Sequence, residues 1–230
     1  MRIAFVSKSP HAQAAVEHLF TKRGIQCTGV PEVVVVIGGD GTFLRAEREY
    51  PGVPKALVKD SDVGFLYHAH TPEELAAALK ECNFTIEERP ALEALVHHIK
   101  YRAANDVIIR NRLLTHAIRF TIEVDEKPLG REFIGDGLVV ATPSGSTAYY
   151  HSITRKTFSE GVGIALNNVT QETELPHLGE EQELLVTIMR GPADLGVDNS
   201  MHIEPLKEGD TIRIRKSPTP VRIVCVERKV

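Results

Sequence analysis

Two stretches of this sequence carry residues whose types and spacing suit chemistry on phosphate. The first is Gly38-Gly39-Asp40-Gly41-Thr42, directly after the apolar run 33–37. Glycines at the end of a strand let the backbone take positive φ and approach a ligand closely. The N–H groups that open the following helix, and the field of that helix, then favour an anion. A carboxylate in such a loop repels phosphate, so Asp40 needs a task of its own. It can take a proton from an attacking hydroxyl, or help to hold Mg²⁺ against the phosphates. The plainer reading is a tight strand–helix turn with Asp40 in the cap. The loop is neither G-x-x-x-x-G-K-[ST] nor G-x-G-x-x-G.

The second stretch is "GDGLVVATPSGSTAYYHS", residues 135–152. Another strand turns here through Pro143 and Gly145 into a helix, with Ser146 as the expected N-cap. Thr142, Ser144, Ser146 and Thr147 concentrate hydroxyls at that turn. Ala148 is small enough for close approach, and Tyr149 offers an aromatic face to a base. Any one of these residues fits a solvated loop. The whole set fits it poorly.

The elements that must position these stretches differ between the two ends of the chain. Up to about residue 90, strand and helix signals alternate. "RIAFV" reads as a strand, and Ser9-Pro10 opens a helix that Gly24 closes. "EVVVVI" lacks polar alternation, as a strand covered on both faces should. A helix is expected from Thr42 to about Tyr50, a strand at "KALV", and a capping box at Thr71 and Glu74. That order is Rossmann-like. Beyond residue 90, short β-branched segments alternate with turn signals: "LVHHIKYRA", "DVIIR", "AIRFTIEVD", "GLVVATP", "GVGIAL", "ELLVTIM", "TIRIR" and "VRIVCV". They predict a β-sandwich or barrel. The fold class expected is α/β plus all-β. An N-terminal α/β domain (1–90) precedes a C-terminal β-sandwich domain (91–230), with a cleft between them, and the last strand is free to return to the first domain.

With 230 residues, 42% apolar content and a net charge of −4, the chain has no electrostatic footprint for nucleic acid or an anionic membrane. No apolar run approaches the roughly 20 residues that cross a bilayer, and the opening "MRIAFVSKSP" is too short a core for a signal peptide. Cys27, Cys82 and Cys225 lie far apart without C-x-x-C spacing, and read as free thiols in a reducing, cytoplasmic setting. His68 and His70, and the pair His97-His98, have no further ligand cluster around them, so solvated or core histidines are the expectation. Arg155 and Lys156 read either as phosphate contacts or as a charged helix end.

In its motifs the sequence resembles the NAD kinase family, ATP-dependent enzymes that phosphorylate the 2′-hydroxyl of the adenosine ribose of NAD. The matching residues run in order along the chain: Gly38–Thr42, "GFL" at 64–66, Asn105-Asp106, Asp136-Gly137, "TPSGSTAY" at 142–149, and "DNS" at 198–200. GGDG is shared with lipid kinases and phosphofructokinases, whereas TPSGSTAY is far more specific. The resemblance implies that Asp40 is the catalytic base and that Gly38, Gly39, Gly41 and Thr42 border the ATP phosphates. Asp40 and Gly41 also adjoin NAD. Asn105 and Asp106 match an Asn-Glu pair that contacts the NAD ribose, Asp106 being the shorter acid. Phe65 matches an aromatic near adenine, His116 a ligand-contacting position, and Asp136 a residue near the nicotinamide end. Thr147, Ala148, Tyr149 and Ser152 fall in the NAD pocket, with Tyr150 and His151 at its margin. Asp198-Asn199 replace an Asp-Gly turn, with Asn199 expected to take the positive φ, and Ser200 replaces a Gln. The segment "SITRKTFSEGVG" replaces the usual Ala-Gly-Gly-Pro continuation.

The implied cofactor is a divalent cation, Mg²⁺, held through nucleotide phosphates with Asp40 the one protein candidate. NAD and ATP, or polyphosphate, are the implied substrates, and a homo-oligomer the implied assembly. Two other readings stay open. One is a lipid or other small-alcohol kinase, although the G-T-A-N-D signature is missing. The other is a non-catalytic NAD(P)-binding protein descended from the kinase.

Overall fold

The computed structural model describes residues 1–25, 29–58, 70–171 and 175–226. Phe65 with the rest of 64–66, Cys27 and His68 lie outside them. The chain divides into two compact units, Met1–Arg89 with Thr219–Val230, and Pro90–Pro218.

The first unit begins with β1 (Ile3–Ser7), α1 (Pro10–Lys22), β2 (Val33–Ile37), α2 (Asp40–Glu49), β3 (Lys55–Val58), α3 (Pro72–Glu81) and β4 (Thr85–Arg89). Strand Val221–Cys225 returns to it. It inserts beside β3 as a parallel neighbour and pairs antiparallel with β4. β1, β2 and β3 run parallel, and all five residues of β2 are buried, which explains its unbroken apolar sequence. Ser9 caps α1 by accepting from the Ala12 N–H at 3.2 Å, and Gly24 follows with φ 78°. Thr71 and Glu74 close the capping box of α3. Phe20, Val35, Leu75, Leu79 and Val224 meet in the core between helices and sheet.

α2 starts at Asp40, two residues before the expected Thr42, because Gly39 already takes the cap position. Its far end is held by a charge pair with no sequence signal. The Lys55 Nζ, fully buried at the start of β3, lies 2.5 Å from Glu47 Oε1 and 2.5 Å from the Tyr50 carbonyl. Burying such a pair gains little over apolar packing, but removing one partner strands the other charge. The pair therefore fixes how α2 sits on the sheet that carries the glycine loop.

The second unit contains β5 (Leu92–Val96), β6 (Ile99–Ala103), β7 (Asp106–Asn111), β8 (Ile118–Val124), β9 (Lys127–Pro128), β10 (Phe133–Gly135) and β11 (Gly137–Ala141). After the 3₁₀ turn Gly145–Thr147 and the helix α4 (Tyr149–Thr154) come β12 (Gly163–Asn167), β13 (Leu184–Arg190), β14 (Ala193–Val197), β15 (Glu204–Leu206) and β16 (Thr211–Lys216). The returning strand Val221–Cys225 is then β17. Among the described residues one sheet has the order β10-β8-β13-β16-β5-β6, with β9 on β8, and the other β12-β11-β7-β14-β15. Leu92, Ile109, Ile118, Phe120, Leu138, Leu195 and Ile214 fill the space between the two sheets. This is the sandwich that the strand-and-turn pattern predicts. No helix among the described residues is long and apolar enough to cross a membrane.

"LVHHIKYRA", read as one segment, is a hairpin. His97 and His98 take φ 50° and 64° and form a two-residue turn between β5 and β6. The imidazole explains why glycine is not used there. His97 Nδ1 lies 2.8 Å from Glu204 Oε1 and Nε2 lies 2.9 Å from Asp210 Oδ2. Tyr101 donates to Glu204 Oε2 at 2.6 Å. The bonds to Glu204, then to Asp210, raise the His97 pKa above its ordinary value of about 6.5. A raised folded pKa contributes stability that is complete below the unfolded value and is lost as pH rises through the folded one. His97→Gln should therefore lower the melting temperature more at pH 6 than at pH 9. An equal decrement at both values, in thermal unfolding followed by circular dichroism, would show that the charge plays no part.

Candidate functional site

In the first unit, β2 delivers the chain to Gly38 with φ 143°, a conformation that side chains rarely adopt. A Cβ at Gly38 would stand 2.6 Å from Thr42 Oγ1, so the loop closes tightly over the buried Thr42. The Gly38 N–H reaches the Val58 carbonyl at 3.3 Å, which ties the loop to β3, and the Phe43 N–H reaches the Gly39 carbonyl at 3.1 Å. Half-buried Asp40 thus stands in the first turn of a ten-residue helix, between two glycines and just after the parallel strand β2. Arg45, one turn on, donates to the Ser7 carbonyl at 3.0 Å and pins α2 to the end of β1.

In the second unit, the turn after β11 packs onto the start of β7. The Thr142 N–H donates to the Asn105 carbonyl at 2.8 Å, and the Thr142 hydroxyl donates to the Ala104 carbonyl at 2.8 Å. A Cβ on Gly145 would lie 2.1 Å from the Asn105 carbonyl oxygen, inside any allowed contact. Gly145→Ala must then push this turn away from Asn105, and we expect a loss of at least about 2 kcal/mol in chemical denaturation, as for an overpacked core. Unchanged stability would mean that the turn relaxes freely.

Asp198, after β14, accepts three backbone N–H groups, from Ala104 at 2.9 Å, Asn105 at 2.7 Å and Asp106 at 3.1 Å. Burial pushes its pKa up, against the opposing pull of those three donors. The Asp106 carboxyl, also buried, is pushed up to about 7, first by burial and then by the neighbouring charge of Asp198. Near neutrality Asp106 can therefore donate as well as accept a hydrogen bond. Asn105 is buried, and its Oδ1 has no hydrogen-bond partner among the described residues. A buried acceptor without a donor is costly, and a ligand that supplies one recovers the cost.

A second polar group lies on the outer face of the same sheet. The Tyr149 phenol oxygen accepts from Arg110 Nη1 at 3.0 Å and from Asn167 Nδ2 at 3.3 Å. Arg110 Nη2 stands 3.8 Å from Asp136 Oδ2, which also accepts from Asn168 Nδ2 at 3.2 Å.

Residues 104–226 match the family described as the ATP-NAD kinase C-terminal domain. The NAD kinase of Natranaerobius thermophilus is 31% identical over 222 residues, covering 87% of this chain and 74% of that protein. The chain belongs to the NAD kinase family. The NAD kinase of Koribacter versatilis is 29% identical over 211 residues, covering 84% of this chain and 73% of that protein. Among solved structures, yeast NADH kinase complexed with NADH superposes with a TM-score of 0.87 at 18% identity, over 99% of this chain and 84% of that one. An NAD kinase from Archaeoglobus fulgidus in complex with ATP gives 0.81 at 22% identity, over 100% and 94%. These two likenesses bear on the fold, which is that of NAD kinases.

The positions that match NAD kinase motifs fall in different surroundings. Thr147 and Ala148 are exposed, and Ser152, also exposed, donates to the Tyr149 carbonyl at 2.7 Å. His151 Nδ1 lies 3.3 Å from the Lys156 carbonyl. Tyr150 turns the other way. Its ring is buried with Val139, Ala141 and Ala165 and meets Phe158 edge-on at 5.1 Å. His116 is exposed and lies 2.9 Å from the Thr115 hydroxyl, while Asn111 Nδ2 joins the His116 carbonyl (3.1 Å) to Asp136 Oδ1 (3.5 Å). Ser146 is not a cap: its hydroxyl lies 2.7 Å from the Pro143 carbonyl and 3.1 Å from the Phe158 carbonyl. The positive φ at 198–199 belongs to Asp198 (49°) and not to Asn199, because the Asp198 carboxylate must face back to the 104–106 backbone. Arg155 caps α4 in the left-handed region at φ 59°.

Sequence reading passed over Arg110, Asn167 and the carboxylate of Asp198. A weak signal existed for Arg110, the one basic residue in "DVIIR", directly after the apolar run 107–109. For the other two the sequence carries none. Among the described residues no group of three or more His, Cys, Asp or Glu could hold a metal ion. Mg²⁺ commonly binds through one or two carboxylates plus substrate phosphates, and Asp40 beside a bound triphosphate fits that donor set.

Proposed function

We propose that this chain transfers the γ-phosphoryl group of MgATP to the 2′-hydroxyl of the adenosine ribose of NAD, yielding NADP. The observation that carries this reading is Asp40 in the first turn of α2, the lone carboxylate of a glycine loop, in a chain of the NAD kinase family. A carboxylate with a pKa of about 4 holds no pre-formed ribose alkoxide. Asp40 instead orients the hydroxyl and accepts its proton late, as the loose phosphoryl transfer proceeds. The backbone of Gly38–Thr42 receives the phosphates, and Mg²⁺ entering with the nucleotide neutralises their charge. The unpartnered Asn105 Oδ1 and the readily protonated Asp106 offer an acceptor and a donor to the adenosine. Ser152, Thr147, Ala148 and the Tyr149 ring line the dinucleotide, with Asp136 and His116 towards the nicotinamide end. The enzyme acts in the cytoplasm as a homo-oligomer.

The test is a coupled assay for NADP formed from NAD and MgATP, repeated with NADH and with polyphosphate. Stoichiometric NADP and ADP are expected. Tight NAD binding without ADP formation would make the chain a non-catalytic dinucleotide binder and sink the proposal.

A further inference from the structure

We infer that Arg110 is a positioning residue for dinucleotide binding, acting through Tyr149; the inference rests on the NAD kinase reading. The argument starts from strand register. Arg110 on β7 and Asn167 on β12 both pair with Gly137 on β11, so the three form one row across the sheet. Side chains in such a row project from the same face. The middle member has none, and a Cβ there would stand 2.0 Å from the Ile109 carbonyl oxygen. Arg110 and Asn167 therefore both reach the phenol of Tyr149, which α4 lays over that face.

Two N–H donors occupy the acceptor capacity of the phenol oxygen. Its own hydrogen is then directed away from both, as a donor of fixed direction, and the ring plane is fixed with it. Arg110 is suited to this because its planar fork donates one hydrogen bond to Tyr149 and sets its second nitrogen 3.8 Å from Asp136, within ion-pair distance. The Asp-Gly pair at 136–137 so takes on a definite sense: the acid steadies the guanidinium, and the glycine leaves room in the row. α4 has six residues, too few to hold its side chains rigid by helix formation alone. Arg110 supplies the anchor from the rigid central strand beneath it.

The test compares wild type with Arg110→Met, Arg110→Lys, Tyr149→Phe and the double variant Arg110→Met/Tyr149→Phe. NAD dissociation constants come from calorimetry, and steady-state constants are measured at saturating MgATP. Arg110→Met should raise the KM and Kd for NAD roughly tenfold, the loss of one well-placed charged hydrogen bond, with kcat within about threefold. Arg110→Lys should recover part of the affinity. In the Tyr149→Phe background the Arg110→Met step should cost less than threefold, since its acceptor is already gone. Equal costs in both backgrounds, or an unchanged KM in Arg110→Met, would overturn the inference. So would a fall in kcat without a change in Kd. If wild type binds NAD but does not turn it over, the kinase reading fails while the coupling is still read from the dissociation constants. If wild type does not bind NAD, both fall.

Discussion

Asp40→Asn is expected to fold as wild type and to turn over NAD at least ~10²-fold more slowly, the usual loss for a positioned base. Asparagine keeps the shape of the side chain and can still touch a hydroxyl, but it cannot take the proton. The first turn of α2 loses one favourable charge at a helix N-terminus, worth only about 0.3–1 kcal/mol, so the melting temperature should scarcely move. Binding of ATP without Mg²⁺ should hold or tighten, because the carboxylate that repels the triphosphate is gone. NADP formation under single-turnover conditions, beside calorimetric ATP binding, separates the chemical step from binding. A variant retaining more than a tenth of the wild-type rate would remove Asp40 as the base and leave it only a charge in the first turn of α2.

Asp198→Ala should have the largest effect on stability. It leaves the N–H groups of Ala104, Asn105 and Asp106 without their shared acceptor. Hydrogen bonds to a charged group are worth about 1.5–3 kcal/mol each, so a net loss of about 3 kcal/mol or more is expected. One term runs the other way. The Asp198 charge helps, after burial, to push Asp106 up to about 7, and removing it relieves that repulsion. One relieved repulsion does not offset three orphaned donors. The melting temperature should fall by about 6–12 °C, given roughly 2–4 °C per kcal/mol for a domain of this size. Because the same N–H groups hold Asn105 and Asp106 in place, NAD affinity should drop in parallel. Differential scanning calorimetry decides it: a melting temperature within 2 °C of wild type would show that water replaces the carboxylate.

The local structure of this protein is legible residue by residue. Ser9-Pro10 and Thr71-Glu74 name their helix starts because capping is decided within four residues. Val33–Ile37 announces a doubly covered strand, and Gly38-Gly39 its turn into a helix. Where local rules erred, a distant partner was the cause. His97-His98 make a turn that sequence does not signal, held by carboxylates at 204 and 210. Ser146 gives up the capping role for the Pro143 and Phe158 carbonyls, and Tyr150 leaves the surface for Phe158.

The candidate site divides along the same line. Asp40 and the TPSGSTAY turn stand out in the sequence because glycine, proline and hydroxyl residues report what the backbone must do at their own positions. Asp198 binding Asn105 across 93 positions, and Arg110 meeting Asn167 over Gly137, could be decided only by strand register. Register follows from how alternating apolar faces are buried against one another, a property of the whole sandwich. The sequence alone determined where the backbone must turn sharply from strand into helix. The tertiary structure decided which polar side chains brace those turns, because bracing depends on neighbours in space.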